Sequence, residues 1–327
     1  MKRSHLVAAF WAAFTLTSSL QAQPLVTIDT VTVGDVGNAA DTTGYGAVGY
    51  EFNIGKYEVT IGQYTTFLNA VAATDTYSLY NPSMATNLNI AGITQAGSSG
   101  SFSYSALGSG NRPITYVSWF DGARFANWMN NGATNGASTE TGAYTLDGAM
   151  SGIITVNSGA TWSLPSEDQW YKAAYYKSGG TNAGYWDYPT QSDTAPGNIV
   201  GGATNQANYN NGVYSVTQSN TLDSTLNYLT DAGSFSGSAG AYDTFDQGGN
   251  VSEWNDAVID SSRGVRGSAW YYLEDFLQSS SRGVNSPTNE SSRVGFRVAS
   301  VPEPSTYALV LMAVAGWLLW RRRKVNL

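Results

Sequence analysis

The chain contains no cysteine, and its single histidine, His5, lies among the first residues. Thiolate and imidazole are the usual ligands for copper, zinc and catalytic iron, and the usual nucleophiles and proton shuttles near neutral pH. None of those three metals is therefore expected as a cofactor. The groups that remain are carboxylates, amides, hydroxyls, Lys and Arg. Glu167 and Asp168 could be posed as the two carboxylates of a glycoside hydrolase, but neighbouring residues on a helix point in different directions. Acids in a first turn are already accounted for by the helix dipole. Trp270, Tyr271 and Tyr272 form an aromatic run that could stack on the apolar face of a sugar. The competing role is burial, since a chain with 10 Trp, 21 Tyr and no disulfide needs rings to fill its core.

Charge narrows the partners. The whole chain carries 16 Lys and Arg against 24 Asp and Glu. Lys2, Arg3, Arg321, Arg322, Arg323, Lys324 and one acid, Glu303, lie in the terminal segments, which leaves 10 cations against 23 acids and a net charge of about −13 between them. Nucleic acid is excluded as a partner, because phosphate contacts need clustered cations. Divalent cations are the natural ionic partners of such a chain.

Both ends read as targeting segments. Lys2 and Arg3 precede the apolar run Leu6 to Leu16, then polar residues and the small Ala22, so residues 1–22 are expected to be a signal peptide removed by signal peptidase. At the other end, Pro302-Glu303-Pro304 is followed by an apolar stretch from Tyr307 to Trp320 and then Arg321 to Lys324. Fourteen helical residues reach about 21 Å against a hydrocarbon core of roughly 30 Å. A transmembrane helix over about 305–320 therefore spans only if Ser305 and Thr306 enter and Arg321 snorkels. The basic cluster then stays cytoplasmic and everything before Val301 lies outside. Pro-Glu-Pro, a short apolar helix and an Arg-rich end resemble the PEP-CTERM sorting signal of Gram-negative bacteria. That resemblance implies recognition by an exosortase, removal of the tail, and delivery to the cell surface or an extracellular matrix.

The elements between the signals are few helices and many short strands. The segment 23–49 reads as a strand and loop, and Tyr50 to Lys56 as a strand. Helices are predicted from Thr60 to Ala70, from Ser118 to Asn130, and from Ser166 to about Lys177, the last opened by a Ser166/Gln169 capping box. Residues 79–110 read as a long ordered loop with a hairpin near Ser101 to Tyr104. About seventy residues after Lys177 are dominated by Gly, Asn, Thr and Ser. Short strands are expected around Gly264 to Ala269 and Arg293 to Ala299. Nothing splits residues 23–300 into two domains.

Five segments, in order, carry a family resemblance: Tyr57-Glu58-Val59-Thr60 with Gln63-Tyr64 and Phe67-Leu68-Asn69-Ala70; Pro113 with Val117-Ser118-Trp119 and Asp121; Leu164-Pro165-Ser166-Glu167 with Trp170; Gly249-Asn250-Val251-Ser252-Glu253-Trp254; and Arg266-Gly267-Ser268 with Arg293-Val294-Gly295-Phe296-Arg297. They resemble the formylglycine-generating enzyme, or sulfatase-modifying factor, family. The resemblance implies an α+β, irregular C-type lectin-like fold with short strands, about three helices and much loop. Active members oxidise a cysteine using copper held by two cysteines, whose positions fall at about Tyr271 and Phe276 here. Related sulfoxide synthases bind iron through histidines, which this chain lacks once matured.

The same resemblance implies structural calcium at Asp246, Gly249, Val251 and Glu253, and a second site at Asn198, Ile199, Asp223 and Thr225. A tight Gly-containing loop presenting carbonyls between side-chain oxygens suits a hard cation. The Asn250-Val251-Ser252 sequon in this loop is read as accidental. The expectation is a calcium-stabilised, noncatalytic module binding a surface glycan or protein through Trp270, Tyr271 and Tyr272. The alternative is a divergent enzyme of the family that works without cysteine.

Overall fold

The structure is a computed structural model and describes residues 22–301. The expected signal peptide, residues 1–22, apart from its last residue, the sorting tripeptide Pro302-Glu303-Pro304 and the expected transmembrane helix over about 305–320 lie outside the described residues. Among the described residues, no helix is long and apolar enough to cross a membrane.

Among the described residues, ten short strands and four α-helices alternate with loops: β1 (Thr30–Val33), β2 (Phe52–Gly55), α1 (Ile61–Val71), α2 (Ser83–Thr86), β3 (Ile93–Ala96), β4 (Ser103–Ala106), α3 (Trp119–Asn130), β5 (Trp162–Ser163), α4 (Glu167–Tyr175), β6 (Ser252–Ile259), β7 (Ser262–Arg266), β8 (Gly283–Asn285), β9 (Val294–Phe296) and β10 (Ala299–Ser300). The three predicted helices are α1, α3 and α4, with α2 a single added turn. Each long helix begins at a reciprocal capping box, Thr60 with Gln63, Ser118 with Asp121 and Ser166 with Gln169. Each box satisfies N–H groups that a helix N-terminus otherwise leaves open. The hairpin expected near Ser101 to Tyr104 is β3–β4, paired from Ile93↔Ala106 to Ala96↔Ser103.

Two four-stranded sheets organise the rest, one ordered β1-β2-β10-β5 and the other β8-β7-β6-β9. The second is mixed, because β6 runs antiparallel to β7 but parallel to β9. Between Tyr176 and β6 the backbone makes only isolated bridges, such as Tyr176↔Tyr185 and Asn208↔Gly249. That matches a stretch rich in Gly, Asn, Thr and Ser.

The largest core cluster is aromatic. Tyr64 and Phe67 from α1, Phe125 and Trp128 from α3, and Phe296 from β9 are all fully buried. Most of their rings meet edge-on or tilted, with Phe67 and Phe125 centroids 5.4 Å apart and Phe125 and Phe296 5.5 Å apart, while Tyr64 stacks on Phe125 at 6.3 Å. Such pairs add about 0.5–1.5 kcal/mol each beyond area burial. This cluster fixes the two helices against β9, and hence the strand beside which the candidate site is built.

Candidate functional site

The site forms where β7 ends. After Arg266 the chain turns through Gly267 and Ser268, both at positive φ (+96° and +65°). At Gly267 a Cβ would lie 2.5 Å from the Gln247 carbonyl and 3.0 Å from the Trp170 ring, so only glycine fits. The turn opens into a cavity of about 130 Å³ whose lining includes Arg266, Ser268, Tyr272, Phe276, Val284 and Asn285. Phe276 sits on a 3₁₀ turn, Glu274–Leu277, and Val284 and Asn285 on β8, which pairs with β7 through Val265↔Gly283. The Tyr272 and Phe276 rings are 5.1 Å apart. Phe276 is 51% exposed and Tyr271 39%.

Beneath the cavity lies an ionic network. Glu167, at the start of α4, accepts from Arg266 Nε and Arg282 Nε, each at 2.8 Å, and from Arg282 Nη2. Asp168 points elsewhere and accepts from the Gly46 amide at 2.8 Å. The two carboxylates therefore diverge, as adjacent helical residues must. The dipole does not account for Glu167 by itself: it is buried and bridges two guanidinium groups. At the rim, Arg293 lies 4.4 Å from the Tyr271 ring centroid and donates to the Tyr272 hydroxyl at 3.2 Å.

Trp270 does not join this surface. It is 3% exposed, stacks on Tyr228 at 5.2 Å and donates its indole N–H to the Ser292 carbonyl. The reading of Trp270 as a ligand-facing ring is thus corrected: burial claims it, while Tyr271 and Tyr272 stay at the surface.

The acidic loop behind β6 is equally specific. Glu253 is fully buried, and its two oxygens accept from Arg297 Nε at 2.6 Å, Arg297 Nη2 at 2.7 Å and the Trp170 indole at 2.7 Å. Asp246 accepts from the Gly233 amide at 2.6 Å, and burial pushes its carboxyl up to about 6. Gly249, at φ +86°, passes so close to Asn208 that a Cβ would meet its carbonyl at 2.3 Å. Beside them Glu58 is buried with neither oxygen hydrogen-bonded. Burial, then the charges of Asp246 and Glu253, push it well above the usual carboxylate range. Asn250 of the sequon is fully buried and bonded to Asn208 and Thr230, so no glycan can be attached to it in this fold.

The profile of the sulfatase-modifying factor enzyme 1-like domain matches residues 32–301. The chain belongs to this family. A PEP-CTERM protein-sorting motif matches residues 300–324, so this sulfatase-modifying factor family member is exported, processed by an exosortase and destined for the cell surface or envelope. Among solved structures it resembles CarF, with 22% identity and a TM-score of 0.51 over 85% of this chain and 99% of that one. It also resembles variable protein 1 of Treponema denticola (17%, TM-score 0.44, 84% and 95%) and PvdO from Pseudomonas aeruginosa (16%, TM-score 0.43, 84% and 92%). No curated protein sequence matches. The CarF likeness supports the expected α+β, loop-rich fold of the formylglycine-generating type.

On that scaffold, of the residues at the expected copper positions, Phe276 lines the cavity beside the Arg-Gly-Ser turn, while Tyr271 lies outside the lining, its ring 5.4 Å from that of Trp270 and 6.3 Å from that of Tyr272. The first calcium set, Asp246, Gly249, Val251 and Glu253, falls in one loop and the start of β6. For the second set, no hydrogen bond joins Asn198 or Ile199 to Asp223 or Thr225. Asn198 donates to the Tyr209 and Val213 carbonyls, and Asp223 accepts from Thr225 itself. Sequence reasoning missed Arg282 and Glu58. Arg282 carries no motif, and Glu58 was read only as part of a family signature.

Proposed function

We propose that this family member is a noncatalytic binding module, held outside the inner membrane by its C-terminal segment until the tail is removed, that engages a surface glycan or protein through the cavity beside Ser268. The observation that carries this reading is the pair of exposed rings, Tyr271 and Phe276, where oxidases of the family are expected to hold copper by thiolates. A phenol and a phenyl ring offer copper(I) no comparable ligand, yet they suit stacking against an apolar ligand face.

Calcium is proposed as a structural ion. Its support is the family resemblance, which assigns the ion a carboxylate from Asp246 and the carbonyls of Gly249 and Val251; among the described residues no group of three acidic side chains stands ready to hold a metal, and burial keeps the neighbouring Glu58 well above the usual carboxylate range. Glu253 is already shared with Arg297 and Trp170, so its part is to anchor the loop as much as to bind the ion.

The deciding experiment pairs glycan-array binding with a copper titration under oxygen-consumption assay on a thiol peptide. Saturable glycan or protein binding that falls with Phe276→Ala and Tyr271→Ala, without copper-dependent oxygen uptake, is expected. Stoichiometric copper binding with turnover would sink the noncatalytic reading.

A further inference from the structure

The cavity beside Ser268 has a chemical preference, and the geometry points to a negatively charged sugar, a uronate residue of an acidic polysaccharide, as its occupant. The inference rests on the binding role proposed above and specifies its ligand class.

One buried polar atom in the cavity lining lacks any partner: the Ser268 hydroxyl, on a residue 4% exposed and in the left-handed region. The Arg266 guanidinium beside it is already engaged by Glu167 and by the Ser279 and Ser281 carbonyls. Native proteins leave few groups like the Ser268 hydroxyl unpaired, because each costs desolvation with nothing in return. It can donate, and so it calls for an acceptor.

The charges agree. No carboxylate lines the cavity. Below it two guanidinium groups, Arg266 and Arg282, share the single carboxylate of Glu167, leaving one positive charge uncompensated. Arg293 at the rim has no acidic partner among the described residues and rests on Tyr271 and Tyr272. Between the terminal signals the chain carries a large excess of acid, so this local reversal marks the place where an anion is accepted rather than repelled. A carboxylate can accept a charge-assisted bond from the Ser268 hydroxyl while lying in the field of this net positive charge.

The rim distinguishes a sugar from an acidic peptide. Phe276, Tyr272 and Val284 present flat or apolar surface around a polar floor, and Phe276 is half exposed. A pyranose ring has an apolar face of matching character directly beside its carboxylate. An aspartyl or glutamyl side chain has no such face to stack.

The test is calorimetric titration of the full chain in detergent with a galacturonate oligomer, its methyl ester and polyaspartate. The acid oligomer is expected to bind, more weakly as salt rises, and the methyl ester about tenfold more weakly or worse. Ser268→Ala should lose about tenfold in affinity, and Phe276→Ala, on the surface and harmless to folding, should lose a similar factor. Equal affinity for acid and ester overturns the inference, as does polyaspartate binding as tightly as the galacturonate. If neutral glycans bind in a Phe276-dependent way while galacturonate does not, the anionic preference fails and the binding role stands. If no glycan or protein binds at all, both fail.

Discussion

Glu253 and Arg297 are both completely buried and meet through two hydrogen bonds, with the Trp170 indole completing the set. Removing one partner of such a pair leaves an uncompensated charge in the core. Arg297→Ala is expected to cost about 3–5 kcal/mol, read from the urea midpoint. A loss below 1 kcal/mol would mean that water reaches Glu253. Asp121 makes a different demand. Burial, then the charge of Glu290, pushes its carboxyl up to about 7, while it caps α3 through the Ser118 amide and hydroxyl. Its folded-state value is raised, so its contribution is fully present below the unfolded value near 3.8 and is lost as pH climbs through 7. Asp256, raised by burial to about 6, acts in the same direction. Stability should therefore fall as the pH rises from 4 to 8. Asp121→Asn keeps an acceptor for the cap and should flatten that slope. An unchanged slope in denaturant titrations across this range would show that Asp121 titrates normally.

At the scale of elements, the helices were readable because their signals are local. A Ser or Thr followed three residues later by Gln or Asp, at the head of a run of helical periodicity, closes a capping box within one turn of chain, and the boxes at Thr60, Ser118 and Ser166 form. Ser166→Ala should cost about 1 kcal/mol by thermal melting. It should also loosen Glu167, one residue on. Strand β6 was not readable. Its residues Ser252, Glu253 and Asn255 are polar yet buried, so the alternation of apolar and polar residues that betrays a strand is missing. The burial of Glu253 is possible only because Arg297 and Trp170 arrive from other segments to donate to its carboxylate. The Arg-Gly-Ser turn depends on backbone freedom instead. Gly267→Ala forces a side chain into positive φ and onto the Gln247 carbonyl, and should destabilise by more than about 2 kcal/mol. The circular-dichroism melting curve is the measurement, and a wild-type curve would contradict the close approach.

For the whole molecule, an acidic chain without disulfides must hold a loop-rich fold outside the inner membrane by other means. The aromatic core provides one, and calcium is proposed as another. With calcium at a hundredfold excess over its dissociation constant, the ion adds about 2.7 kcal/mol, so EGTA should lower the Tm by several degrees. An unchanged Tm would remove calcium from the account.

Some of this protein was settled by sequence alone. The absence of cysteine, the C-terminal sorting motif, the acidity, the family and the three main helices are each written in residue type or in spacing over a few positions, and need no knowledge of what lies across the core. Tertiary structure decided which aromatic residues are available to a ligand. Trp270 is buried beside Tyr228, while Tyr271 and Phe276, one and six residues later, face outward. Only the fold could also show that Glu167 serves Arg266 and Arg282, that Glu58 stands beside Asp246, and that the Ser268 hydroxyl has no partner. Those facts depend on segments up to about two hundred residues apart being brought within a few ångströms, and composition and periodicity carry no record of that meeting.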